Sequence, residues 1–332
     1  MVFVTTNAHN ADAGKLQQLL GWDRPENAPE NDVASLTTIS WGFPRPFPKS
    51  HYSFPDLPAG YSYAVGIAKT GTAFLPANRD IQWLAAARQI NFITGMRVAT
   101  TVSVASFRRD PIPLGGLVSV FGTDLASTTR VLDIRPSVYG SDGTEVWLED
   151  NSGAEAPMQL LFISPNQINC YMPYFMQEGQ GIVKVIRDGK IVSLDILQIA
   201  KVSPGIFSAN ADGKGLAAAS LIFIKGEERT YGTVATCDTQ GCLANPIDVN
   251  LYDGVYLEMY GTGVNNDKGA AAVTATIGGQ PVSVLYAGTQ CCFIGVDQIN
   301  LQIPKSLASK GVVDVVITVE GKIANTVKIN VK

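Results

Sequence analysis

Five cysteines and two histidines carry the widest chemical repertoire in this chain of 332 residues, and their spacing sorts them. Cys237 and Cys242 flank the turn-prone spacer Asp238-Thr239-Gln240-Gly241. So short a loop closes into a disulfide where the Cα atoms lie within about 7 Å, and such bonds persist in oxidising compartments. Cys291 and Cys292 are adjacent, so they form a vicinal disulfide or remain two thiols. No CxxC spacing occurs and no histidine lies nearby, which argues against a metal site. Cys170 stands alone. A catalytic thiol needs an exposed, electropositive setting and a base, and the nearest histidine in sequence is His51.

The remaining candidates are weaker. His9 and His51 have no metal-ligand spacing to each other or to a carboxylate, and GxSxG, P-loop and GxGxxG patterns are absent. Glu227-Glu228, flanked by Lys225 and Arg229, has the character of a solvated charged loop. Asn265-Asn266-Asp267 and Asp212-Gly213 are oxygen-rich but lack the ligand density of a calcium site, and are read as turns. The sequence therefore points to a non-catalytic protein with no cofactor. A binding surface is the alternative chemistry. Trp41, Phe43, Phe47, Tyr52, Tyr61 and Tyr63, with Trp22 and Phe54, crowd the first 63 residues among Pro44, Pro46 and Pro48. They make either an irregular segment packed on its neighbours or a rigid platform for a carbohydrate or peptide.

The elements that must position these residues are signalled by an internal repeat. Val118-Ser119-Val120-Phe121-Gly122-Thr123 returns as Leu257-Glu258-Met259-Tyr260-Gly261-Thr262, and Gln167-Ile168-Asn169 returns as Gln298-Ile299-Asn300. Asp188-Gly189-Lys190-Ile191 returns as Glu320-Gly321-Lys322-Ile323. One module is thus written twice. In the second copy Ile299, Leu301 and Ile303 alternate with Gln298, Asn300 and Gln302. The matching inward face of the first copy is Ile168, Cys170 and Met172, which makes Cys170 a buried free thiol rather than a nucleophile.

Short apolar runs punctuated by Gly, Pro, Asn and Asp give about seven strands per ~100 residues, the count of an immunoglobulin-like sandwich. The expected organisation is an irregular region over 1–97, a first sandwich over 98–201 and a second over 202–332 carrying an insertion at about 210–245. Val202-Ser203-Pro204-Gly205-Ile206-Phe207 is the joint. Short helices are expected at Asp12 to Gly21 and Asn78 to Gln89.

Composition excludes several partners. Lys+Arg 25 against Asp+Glu 29 gives a net charge of −4 with no run of like charges, so nucleic acid and anionic lipid are not expected. No stretch approaches the ~18 consecutive apolar residues of a membrane span. The start Met1-Val2-Phe3-Val4-Thr5-Thr6-Asn7 lacks the basic and apolar regions of a secretory signal, so the chain is either cytosolic or has lost one.

The phrases Thr101 to Phe107, Gly116 to Thr123, Pro165 to Asn169, Val202 to Phe207, Tyr260 to Gly263, Val284 to Gly288 and Gln298 to Asn300 together resemble the Solibacter-type C-terminal domain family of exported acidobacterial proteins. The resemblance covers about residues 98 to 332 and implies tandem immunoglobulin-like modules, export and a bacterial surface setting, with no reaction. Cys291-Cys292 and the Cys237/Cys242 loop depart from that family's pattern. The expected function is a secreted or cell-surface structural and adhesive unit that associates with itself, with other surface proteins or with glycans. In a filament, Val2 to Thr6 would add to a neighbouring subunit's sheet edge.

Overall fold

The computed structural model describes residues 2–6, 63–67, 74–75, 78–81, 93–94, 97–109, 111–133, 137–264 and 272–332. It is mainly β, in two compact units, Met1–Met96 and Arg97–Lys332. No helix among the described residues is long and apolar enough to cross a membrane.

In the first unit Val2–Thr6, Tyr63–Ile67 and Asn78–Ile81 form an antiparallel sheet in that order. Val2–Thr6 is the outer strand of this sheet, paired on one side with Tyr63–Ile67 of its own chain. One expectation is corrected. Asn78–Ile81, read as the start of a helix, is a strand, because the ladder to Tyr63–Ile67 supplies partners for its backbone and outweighs local propensity. The helix expected at Asp12 to Gly21 lies outside the described residues.

The second unit contains two halves, each with its own apolar core between two sheets. In the first half one sheet runs Arg130–Val131, Gln159–Ile163, Gln167–Tyr171, Leu117–Phe121, Thr100–Ser103. The facing sheet runs Gly140–Ser141, Thr144–Glu149, Gly179–Arg187, Lys190–Ala200, and Ile112–Pro113 lies parallel to the last of these. The second half repeats the plan. Val284–Thr289, Asp297–Gln302, Gly254–Thr262 and Ala219–Lys225 are neighbours in that order. In its facing sheet Pro246–Ile247 lies parallel to Val327–Val331, as Ile112–Pro113 does to Lys190–Ala200.

The repeated phrases hold the same register in both copies. Ile168 faces Val120 and Asn169 faces Ser119; Ile299 faces Met259 and Asn300 faces Glu258. Ile168, Cys170 and Met172 are fully buried, as are Ile299 and Leu301. On the other face, the Gln167 side-chain amide donates to Asn169 Oδ1 at 2.8 Å, and Gln298 donates to Asn300 Oδ1 at 2.9 Å. The Gln-Ile-Asn repeat is therefore one buried residue between two hydrogen-bonded amides, which fixes the pleat on both faces. The hairpins Asp188-Gly189 (φ 50° and 73°) and Glu320-Gly321 (φ 46° and 79°) use the left-handed region at both turn positions, as a type I′ turn requires.

The segment expected as an insertion is only partly one. Ala219–Lys225 pairs with Gly254–Thr262 in the place that Thr100–Ser103 takes beside Leu117–Phe121, and its Leu221 is core. The hairpin that follows, Glu228–Thr233, and the disulfide-closed pair Ala235–Asp238 and Gly241–Ala244 are additions outside that plan.

The halves are fastened where the chain crosses between them. Gly205–Ile206 pairs with Gly261 and Thr262 of the second half. A Cβ on Gly205 would sit 3.0 Å from Ser103 Oγ and 3.2 Å from the Cβ atoms of Ala105 and Ser106 in the first. Thr262 Oγ1 accepts the Leu117 N–H at 2.8 Å and donates to the Gly295 carbonyl at 2.6 Å. Arg108 donates to the carbonyls of Ile323 and Ala324 at 2.8 and 3.4 Å. Buried Asn325 accepts the Ile206 N–H and donates to the carbonyls of Ile206 and Gly213. The bonds of Ile206 lie within the second half, and it is the Thr262 and Arg108 bridges with the close packing at Gly205 that restrain the joint.

Candidate functional site: an aromatic cleft at the joint

The cleft of interest is built by the joint. A cavity of about 360 Å³ is lined by Ser137 and Tyr171 of the first half and by residues 289 to 296 of the second. The loop of the second half is shaped by Gln290, whose side-chain oxygen accepts the N–H groups of Cys292 and Phe293 at 2.8 and 3.1 Å. Its backbone N–H also donates to the Val296 carbonyl. Gly295 lets the loop lie against the first half: its φ is 71°, and a Cβ there would sit 2.8 Å from Leu117 and 2.9 Å from the Tyr171 ring. Only glycine meets both demands.

The first half contributes the strand end at Tyr171 and the turn that follows, Met172-Pro173-Tyr174-Phe175. Met172 is buried and anchors the turn, while Tyr174 and Phe175 are 68% and 66% exposed and meet edge to face at 5.6 Å. A point one Cβ length above Gly115 lies 3.4 Å from Tyr174 Cβ and 3.6 Å from the Tyr171 hydroxyl, so the two tyrosines border one spot. Burial lifts the Tyr171 phenol above its usual range, and the nearby Tyr174, Asp297 and Tyr139 add to the shift. With Phe293 exposed on the opposite loop, the cleft has an aromatic ring from each half, Tyr171 and Phe293, in a lining of mixed polarity.

Asp150 holds the turn that carries Tyr174 and Phe175. Its Oδ2 accepts the Gln177 N–H at 2.8 Å, and its Oδ1 accepts from the Ser152 N–H and hydroxyl at 2.8 and 2.6 Å and from the Ala154 N–H at 3.2 Å. Burial alone would raise this carboxyl, but the Ser152 hydroxyl and the three N–H donors prevail and place it below 3.8. The folded state thus holds the proton less tightly than the unfolded chain, so the stabilisation is present above pH 3.8 and is lost as pH falls through the lowered value. Asp150→Asn is expected to flatten acid unfolding below pH 3.8 and to cost about 1–3 kcal/mol at neutral pH, read by urea titration at several pH values.

The residues singled out in the sequence fall elsewhere, with one exception. Cys237 and Cys242 form a disulfide, with Cα atoms 4.0 Å apart, across a peripheral hairpin. Chain entropy for so short a loop gives about 2 kcal/mol, so Cys237→Ser with Cys242→Ser is expected to lower stability by no more than that in chemical denaturation. Cys170 is fully buried, and burial pushes its thiol far up, so it is no nucleophile at neutral pH. Glu227 and Glu228 are exposed at a turn. Among the described residues no group of three His, Cys, Asp or Glu could hold a metal. His9, His51, Trp22, Trp41, Phe43, Phe47, Tyr52, Phe54 and Tyr61 lie outside the described residues, and Tyr63 begins a strand of the first unit.

The exception is the vicinal pair Cys291 and Cys292, which is disulfide-bonded, exposed and part of the cleft wall. Sequence reasoning missed its partners. Tyr171-Met172-Pro173-Tyr174-Phe175 carries the same signal of aromatics around a proline that drew attention to Trp41-Gly42-Phe43-Pro44. It ends a strand of strong alternation, and so is easily taken as core. No family model matches this chain, and no curated protein matches it at a significant level.

Proposed function

We propose that the chain is an exported, non-catalytic structural and adhesive protein of the bacterial surface or extracellular matrix, in which two tandem immunoglobulin-like sandwiches act as a stiff spacer. Two facing sheets per half, with an early short strand parallel to the last one, support the immunoglobulin-like reading. Two disulfides support an oxidising setting. Membership of the Solibacter-type family belongs to the same proposal.

The observation that carries the reading is the fastened joint. Thr262 ties Leu117 to Gly295, and Arg108 caps carbonyls of the other half. Such rigidity suits a protein that transmits load or presents a surface at fixed distance. Self-association follows the outer edges of the sheets, among them Glu228–Thr233, whose residues are almost all exposed. Light scattering on a sizing column, with negative-stain images of the same fraction, tests the assembly. Fibres or one defined oligomer are the expected result. A monomer at every concentration would overturn the self-associating form of the proposal.

A further inference from the structure

We propose that the joint cleft is a binding site for a neutral oligosaccharide. The inference goes beyond the adhesive reading and does not depend on where the protein resides or whether it polymerises.

Charge decides the class first. Among the described residues, none of the ten lining the cleft is ionic, so a phosphate, a sulfated glycan or an acidic peptide would find no cation among them. Backbone geometry then separates a sugar from a peptide. Residues 290 to 296 form turns and bends, and the edge strand Val284–Thr289 reaches the cleft only at Thr289, so little ladder is offered to an extended peptide.

What remains is the pairing that a pyranose needs. Its C–H faces stack on aromatic rings, and its hydroxyls require donors and acceptors that are already fixed in space. The exposed ring of Phe293 lines the second-half wall, and on the first-half wall Tyr171 lines the cleft with the exposed Tyr174 beside it. The Tyr171 hydroxyl, Ser137 and Thr289 supply neutral hydrogen-bonding groups. The volume lies within the ~300–1,000 Å³ of small-molecule sites, which favour places where two modules meet. Both walls are held before any ligand arrives: Asp150 fixes the turn through Gln177, and Gln290 with Thr262 fixes the loop. A wall that is already ordered loses less entropy on binding.

The test is isothermal titration of the full chain with neutral gluco-, xylo-, manno- and N-acetylglucosamine oligosaccharides. Saturable binding of at least one is expected. Tyr174→Ala and Phe293→Ala are each expected to weaken it about tenfold with an unchanged melting temperature, because both rings are exposed. Trp41→Ala with Tyr52→Ala is expected to leave it unchanged. Absence of binding across the series would overturn the proposal. So would binding that survives both cleft substitutions, or that disappears only in the Trp41/Tyr52 variant, which would place the site in the first unit.

Discussion

Lys184→Met is expected to lower the stability of the first half by about 3 kcal/mol, the lower end of the range for breaking a buried ion pair. Lys184 sits in Gly179–Arg187, and its ammonium lies 2.6 Å from Glu149 and 2.5 Å from Glu155. Those two glutamates face each other in register across neighbouring strands, where like charges repel. Lysine between them turns a repulsion into a shared ion pair. The Glu149 side chain is 4% exposed, whereas that of Glu155 is 45% exposed and can turn outward. Methionine therefore leaves Glu149 as the main cost. Urea titration of Lys184→Met, Glu149→Gln and the double variant closes a cycle. Coupling of about 1–3 kcal/mol is expected, and additive losses would show that the ammonium acts only through its stem.

Gly263→Ala is expected to cost about 3 kcal/mol and to free the joint. At φ 76° the residue is in the left-handed region, and an added Cβ would overlap the Ser203 carbonyl oxygen and sit 2.6 Å from the Pro113 ring. Ser203 donates its backbone N–H to the Gly263 carbonyl, and its hydroxyl donates to the Pro111 carbonyl, so the clash falls on the contact that joins the halves. Gly189→Ala separates the two causes. Gly189 has φ 73° with nothing within 4 Å, so its substitution carries backbone strain alone, about 1 kcal/mol. If the two variants lose equal stability in urea titration, the close approach at Gly263 contributes nothing.

The legible part of the fold was local. Alternation around Ile299 and Leu301 marks a strand with one buried face, and its repeat at Ile168 and Cys170 transfers that face to a cysteine that alone would invite a chemical reading. Asp188-Gly189 declares its hairpin because few other pairs accept positive φ twice. Long-range partnership leaves no such trace. Glu149, Glu155 and Lys184 meet only because three strands share a sheet, and no periodicity announces an ion pair. The cleft was hidden for the same reason: Ser137 and Tyr171 of the first half meet Phe293 of the second only across the joint. Asn78–Ile81 shows the converse error, where a short local pattern suggested a helix and pairing with a distant strand decided otherwise.

Both the stiff spacer and the preformed cleft stand on the halves moving together. Backbone amide relaxation of the deuterated protein reports the rotational diffusion of each half separately. One common tensor for residues 97–201 and 202–332 is the predicted result, with Gly263→Ala splitting it in two. Independent tensors in the unaltered protein would contradict the account, because Tyr171 and Phe293 would then face each other only transiently.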